Sequence, residues 1–232
     1  MPRFTLLFGA ALAAIAGGCA AAPEAPLAIV AARNAVDLVQ RLLLERHDPN
    51  EHDAAGLTPL MWAARAGAAD AMTALLDGGA DPNARDRRNG WTALFHAIHK
   101  QQTVAVRLLL DRGVDPNQKA GLATPLLMAA ADRDPTLVEL LLAHGADPHT
   151  RGLGGSTALS EAVSGGAFSD IDRPLFGGCH PATVRAILAH DPTLTLPDTI
   201  ATREALFWAR FHGCEEVLRL LSSAEQRKSG AS

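Results

Sequence analysis

The sequence has no tyrosine, and aromatic residues make up only 4% of its 232 residues. Hydrophobic residues nevertheless reach 48%, and most of them are alanine or leucine. Small side chains let helices approach closely, because the distance between packed helices depends on the side chains at the contact. This composition is typical of an all-α protein built from short, closely packed helices.

The sequence also lacks a large excess of charge of either sign, since the formal net charge is −4 and the pI is near 6.1. No basic face stands out in the sequence, which argues against nucleic acid as a partner. The chain has no glycine-rich phosphate loop after a strand and no serine in a nucleophile-elbow setting. We therefore predict no catalytic residue and no cofactor, and we expect a protein that is not an enzyme.

A two-helix unit recurs along most of the chain at a nearly constant spacing. Its Asp-Pro turn begins at Asp48, Asp81, Asp115 and Asp147. Helix starts recur in phase at Thr58, Thr92, Thr124 and Thr157, and leucine runs mark each second helix. A repeat of this kind buries its apolar faces against its neighbours, so the pattern predicts a solenoid.

The helix start, alanine pair, leucine run and Gly-Ala-Asp turn of this unit resemble the ankyrin repeat family. The resemblance covers about residues 27–223, followed by a polar tail at 224–232. It implies about six stacked helix pairs joined by short hairpin-like turns. The histidine that often follows Thr-Pro-Leu in the family is replaced here by Met61, Phe95, Leu127 and Ser160.

Residues 1–22 have the pattern of a bacterial export signal. The apolar run at 4–15 is too short to span a bilayer as a mature helix, and small residues suited to a peptidase follow it. Cys19 closes a sequence similar to a lipobox, and we favour its lipidation over ordinary cleavage after Ala20 or Ala21. Residues 23–26 would form a short tether, which places the mature protein in the periplasm or on a membrane through a lipid.

An exported protein enters an oxidising compartment, where Cys179 and Cys214 could form a disulfide. A disulfide between them is one interpretation, and it would close a loop of about 35 residues. Two reduced, partly buried thiols are the other, because successive repeats stack about 10 Å apart. Both remain open from the sequence.

The fifth unit carries an insertion at 166–178, which delays its second helix by about 13 residues. Long inserted loops are often functional. Because its residues are largely apolar, we favour the interpretation that the insertion folds over the stack and covers an apolar edge. The alternative is that it forms a lid that binds a partner.

The resemblance implies partner binding through a concave groove and the tips of the turns. Residue types common at interfaces occupy these positions, and the arginines at the third tip could pair with carboxylates on a partner. The predicted contact residues are Trp62, Arg65, Arg85, Arg87, Arg88, Asn89, His96, His99, Lys100 and Met128. We expect a protein-binding module of the cell envelope, either a scaffold or an inhibitor or immunity-type partner of a toxin or enzyme.

Two other classes of function remain. One is a metal-binding protein or an enzyme that uses His96 and His99, which share one helix face, but a metal would need a third ligand and the sequence identifies none. A purely structural envelope protein would have no specific ligand at all. We favour a partner-binding protein over both classes, because stacked repeats create an extended binding surface.

Overall fold

The computed structural model describes residues 25–164 and 179–230. The predicted export signal with Cys19, residues 23 and 24 of the predicted tether, and the insertion at 166–178 lie outside these ranges.

The described residues form an all-α stack of twelve helices in six consecutive pairs, which confirms the predicted fold class. Each pair with the turn before it is called a unit, numbered one to six. The helices are α1 Pro26–Ala32, α2 Val36–Leu44, α3 Pro59–Ala66, α4 Ala69–Asp77, α5 Ala93–His99, α6 Thr103–Asp111, α7 Pro125–Ala131, α8 Pro135–Ala143, α9 Ala158–Ser164, α10 Pro181–His190, α11 Ile200–Phe211 and α12 Glu215–Gly230.

The helices stack in two rows. Each first helix contacts the first helix of the next unit, from α1 to α11, and the second helices contact one another in the same way from α2 to α12. The core runs between the rows without a break, and the same slots recur in it. Leu60, Leu94, Leu126 and Leu159 are buried in the first row, and Leu75, Leu109, Leu141 and Ile187 in the second.

The Asp-Pro turns share one hydrogen bond. In each, the aspartate carboxylate accepts the backbone N–H two residues later at 2.8–2.9 Å, the local bond that favours aspartate in turns. Asn50 and Asn117 extend this bond across units. Each donates to a glycine carbonyl and accepts a backbone N–H of the following unit, which holds neighbouring turns in register.

The helix starts follow the sequence signals with one exception. Thr58, Thr124 and Thr157 each accept a backbone N–H three residues later through the side-chain oxygen. Thr92 makes no such cap. In the last unit, Thr199 caps α11, which starts at Ile200.

Both ends of the stack differ from the predicted boundaries. At the N-terminal end, the sequence predicts Pro26 in the tether, but it is the first residue of α1, a position that suits proline. At the C-terminal end, the predicted tail is largely helical, since α12 runs to Gly230. Ala224 is buried one turn beyond Leu221, so the apolar stripe of α12 extends past the leucine run.

Cys179 and Cys214 form a disulfide with their Cα atoms 5.2 Å apart. The spacing of about 10 Å applies to stacked helices, whereas both cysteines lie outside the helices, just before α10 and α12. Their backbones approach more closely there than the helix axes do. Within the described residues, no helix is long and apolar enough to cross a membrane.

The turns after the second helices of units one to four each contain one residue with positive φ. Gly79, Gly113 and Gly145 fill this slot in units two to four with φ of 82–92°, whereas Arg46 fills it in unit one with φ of 69°. No atom lies within 4 Å of a Cβ built on Gly113, so its requirement for glycine is conformational and not steric.

We expect Gly113→Ala to lower the free energy of unfolding by about 1 kcal/mol, because an L-residue is strained at this φ. Arg46→Gly is the matched control. It relieves the same strain but gives the unfolded chain more freedom, so its net effect should stay within about 0.5 kcal/mol. Urea unfolding measures both, and an equal loss in the two variants would contradict this account.

Candidate functional site: the third tip and the adjoining helices

The tip of each unit is the turn before its first helix, and the tips of units two, three and four contact one another in sequence order. His52 Nε2 in the second tip lies 3.0 Å from the carbonyl oxygen of Arg85, and the backbone N–H of Arg87 donates to the carbonyl of Gly56. On the other side, Arg85 Nη1 donates to the carbonyl of Lys119 in the fourth tip at 2.8 Å. The third tip is thus held from both sides. The groove face is the name used below for these tips with α3, α5 and α7.

Asp86 organises the third tip. Its carboxylate is buried, and Oδ1 accepts the backbone N–H groups of Arg88, Asn89 and Gly90 at 2.7–3.0 Å. Oδ2 lies 2.9 Å from His96 Nε2 on α5. One carboxylate therefore fixes the tip backbone and ties it to the helix behind.

His96 continues this chain of contacts to α3. Its side chain is buried, and Nδ1 lies 3.2 Å from Nη1 of Arg65. A guanidinium can only donate, so Nδ1 must be the acceptor, and Nε2 carries the proton that it donates to Asp86. His96 is therefore a neutral bridge between an arginine and an aspartate.

The electrostatics agree with this protonation state. Burial lowers the pKa of His96, and the positive charges of Arg65 and Lys100 lower it further, while the bond to Asp86 opposes them. Burial alone would raise the pKa of Asp86. Its hydrogen bonds from His96 and the tip backbone outweigh burial and hold that pKa at about 2.

The same arrangement occurs one unit earlier. Trp62 is buried, and its Nε1 donates to Asp53 Oδ2 at 2.7 Å, while Asp53 Oδ1 accepts the N–H of Leu57. The guanidinium of Arg65 lies 5.4 Å from the Trp62 ring centroid, within the range of a cation–π contact. Trp62 and His96 occupy equivalent slots of α3 and α5, and Asp53 and Asp86 occupy equivalent slots of the tips.

These contacts change the role assigned to two predicted contact residues. Trp62 and His96 are only 7% and 3% exposed, because each is held by an aspartate nine or ten residues earlier. They position other groups and have almost no surface to offer a partner. The other predicted residues are accessible. Arg85, Arg87, Arg88, Asn89 and Lys100 are exposed, and Arg65, His99 and Met128 are half-buried.

The same contacts bear on the metal hypothesis. Both ring nitrogens of His96 are engaged, one by Asp86 and one by Arg65, so metal binding there would break one of these bonds. His99 lies beside the ring of Trp91, with centroids 5.3 Å apart. Within the described residues, no group of three or more His, Cys, Asp or Glu side chains is placed to hold a metal.

In unit five, the slot of His96 is filled by Glu161. This side chain is buried, and within the described part of the chain its Oε2 has no hydrogen-bond partner. Burial raises the pKa of Glu161, and the nearby Ser156 opposes the shift. The tip slot of Asp86 holds Gly152 in this unit. A buried side chain tied to a tip carboxylate is therefore a feature of units two and three that unit five does not repeat.

Comparison with known proteins agrees with the architecture. The family model for ankyrin repeats in three copies matches residues 27–120, and the model for a single ankyrin repeat matches residues 122–153. Together they cover more than half of the sequence, and the chain belongs to the ankyrin repeat family. Ankyrin repeats indicate a protein–protein interaction module.

Relatives share this region at moderate identity. The chain is 36% identical over 128 residues to the transient receptor potential channel pyrexia of Drosophila melanogaster, covering 54% of this chain and 13% of that protein. It is 32% identical over 150 residues to the B-cell lymphoma 3 protein homolog of Mus musculus, covering 62% and 33%. A putative ankyrin repeat-containing protein of Treponema pallidum is 36% identical over 120 residues, covering 50% and 40%. In each case, the chain spans less than half of the relative.

We expect Asp86→Ala to lower the free energy of unfolding by about 3 kcal/mol at pH 7, since three backbone N–H groups and His96 lose one charged acceptor. Asp115→Ala is the matched control, because its exposed carboxylate accepts only the N–H of Asn117, and we expect it to cost about 1 kcal/mol or less. Urea unfolding would contradict this role of Asp86 if the two losses were equal.

We expect Glu161→Gln to stabilise the protein at pH 7 and to have little effect at pH 4. A raised folded pKa means that stability is fully present below the unfolded pKa of about 4.3 and is lost as pH rises through the folded pKa. The variant removes this loss. Unfolding by urea at both pH values measures it, with Glu139→Gln on the exposed face of α8 as control; a gap independent of pH would contradict the prediction.

Proposed function

We propose that this chain is an exported, non-enzymatic binding module of the cell envelope that holds one partner protein on its groove face. The observation that carries the proposal is the third tip. Four predicted contact residues, Arg85, Arg87, Arg88 and Asn89, are exposed on it, and Asp86 holds its backbone from within.

Such a tip suits tight binding. Ordering a loop on association costs free energy, and a loop that is already held avoids much of that cost. The tip is fixed by its own aspartate and by contacts to the tips on both sides. A partner would therefore meet a preformed surface, and the binding free energy would come from the projecting side chains.

Two observations support export. Residues 1–22 have the charge, apolar run and small residues of an export signal, with Cys19 as the residue that would receive lipid. The disulfide between Cys179 and Cys214 is the second, because such bonds form and persist in oxidising compartments and are rare in the cytosol.

The test is a pull-down from envelope and cytosolic extracts of the native host, with the mature chain as bait. We expect one protein to be retained from the envelope extract and lost with the double variant Arg87→Glu/Arg88→Glu, whose reversed charges lie on the tip. The control is Arg41→Glu/Arg107→Glu, which makes the same charge change on the exposed faces of α2 and α6.

The control bait should retain the partner as well as the native bait does. Equal retention by all three baits would overturn binding through the groove face. A specific partner found only in the cytosolic extract would overturn the envelope location while leaving the binding role in place.

A further inference from the structure

We propose that the groove face recognises an acidic, extended segment of its partner protein, with aspartate and glutamate side chains as the recognised groups. This inference rests on the proposed function and names the chemistry of the partner.

Six cations gather on the groove face, although they come from three different units of the sequence. This cationic cluster consists of Arg65, Arg85, Arg87, Arg88, Lys100 and Lys119. Contacts already described link its members around one centre. Arg65 bonds to His96, and His96 bonds to the aspartate that holds the backbone of Arg88. The charge of Lys100 lowers the pKa of His96. Arg85 reaches the backbone of Lys119.

The two aspartates of the second and third tips bind inward, although the negative charge of Asp86 partly offsets the positive charge of Arg65. Asp53 and Asp86 are 8% and 6% exposed, and both oxygens of each are already engaged by backbone N–H groups, Trp62 or His96. Their hydrogen-bonding capacity is turned inward. The cations remain on the surface and present a positive face to a partner.

Three arginines elsewhere in the described residues have carboxylate partners. Arg112 pairs with Asp77 at 3.0 Å, Arg185 with Glu216 at 2.9 Å, and Arg203 with Asp198 at 2.9 Å. Across residues 25–164 and 179–230, no ion pair joins a member of the cationic cluster to a carboxylate. The donors of Arg87, Arg88 and Lys100 are therefore available for charge-assisted hydrogen bonds to carboxylates, which are about twice as strong as neutral ones.

A protein segment fits this face better than a lipid surface or a nucleic acid. Arg65 is half-buried between Trp62 and His96, so a flat bilayer would meet the tip residues without reaching it. The chain carries a net charge of −4, and this opposes a nucleic acid, with one charge on every phosphate, more strongly than a segment with a few carboxylates. An extended acidic peptide can lie along the tips and place single carboxylates against single arginines.

Selection of random twelve-residue peptides displayed on phage, with the full mature chain immobilised, tests the inference. We expect aspartate and glutamate to be enriched in the selected peptides. The affinity of these peptides, measured by fluorescence anisotropy, should fall about tenfold or more for Arg87→Glu/Arg88→Glu and stay unchanged for Arg41→Glu/Arg107→Glu. Selection on the first variant should lose the acidic enrichment.

The outcomes distinguish a failure of the acidic-segment inference from a failure of the proposed binding function. Neutral or apolar peptides whose binding still depends on Arg87 and Arg88 would overturn the acidic partner and keep the groove face as a binding surface. Acidic peptides that bind both variants equally would overturn the assignment to this face. Tighter binding of phosphatidylglycerol vesicles or of a 16-nucleotide single-stranded DNA than of the selected peptides would overturn the choice of a protein segment.

Discussion

The structure depends on one constraint: no helix pair in this chain can bury its own apolar surface. Each pair has apolar side chains on both helices, and many of them are buried in a core that neighbouring pairs share. Stability is then a sum of contacts between neighbours, and the order of units along the chain becomes their order in space. Everything on the groove face follows from that order, because tips that are one repeat apart in the sequence are brought into contact.

Polar contacts fix the backbone of the third tip after stacking has brought the units together. A carboxylate inside the third tip accepts three backbone N–H groups and a histidine, and that histidine reaches the arginine of the unit before. Because the histidine is neutral, Arg65 and Asp86 are joined without a direct ion pair. The same unit therefore has a fixed backbone and exposed arginines that form no ion pair among the described residues, a combination that suits recognition more than stability.

The period of the sequence predicts the fold because repeated turns, caps and leucine runs act locally and in phase. The site is predicted less well. The repeat pattern places Trp62 and His96 on the surface, whereas their burial depends on Asp53 and Asp86, which the pattern treats as ordinary turn residues. The sequence does not reveal the cationic cluster, because its members are dispersed over three units and the net charge of the chain says nothing about their positions. The sequence also fails to predict the capped start of α11 and the length of α12, since the last unit lacks the repeated signals.

The bond between Cys179 and Cys214 also determines how the chain would respond to tension. If lipid held one end at a membrane while a partner pulled on the stack, the first four units could come apart one after another, since each is held by its neighbours alone. Between the two cysteines, however, the covalent bond bypasses 35 residues of backbone. That segment would otherwise add roughly 120 Å of extended chain. The segment between residues 179 and 214 would thus remain short under load while the N-terminal units lengthened, giving the stack one extensible part and one part of fixed length.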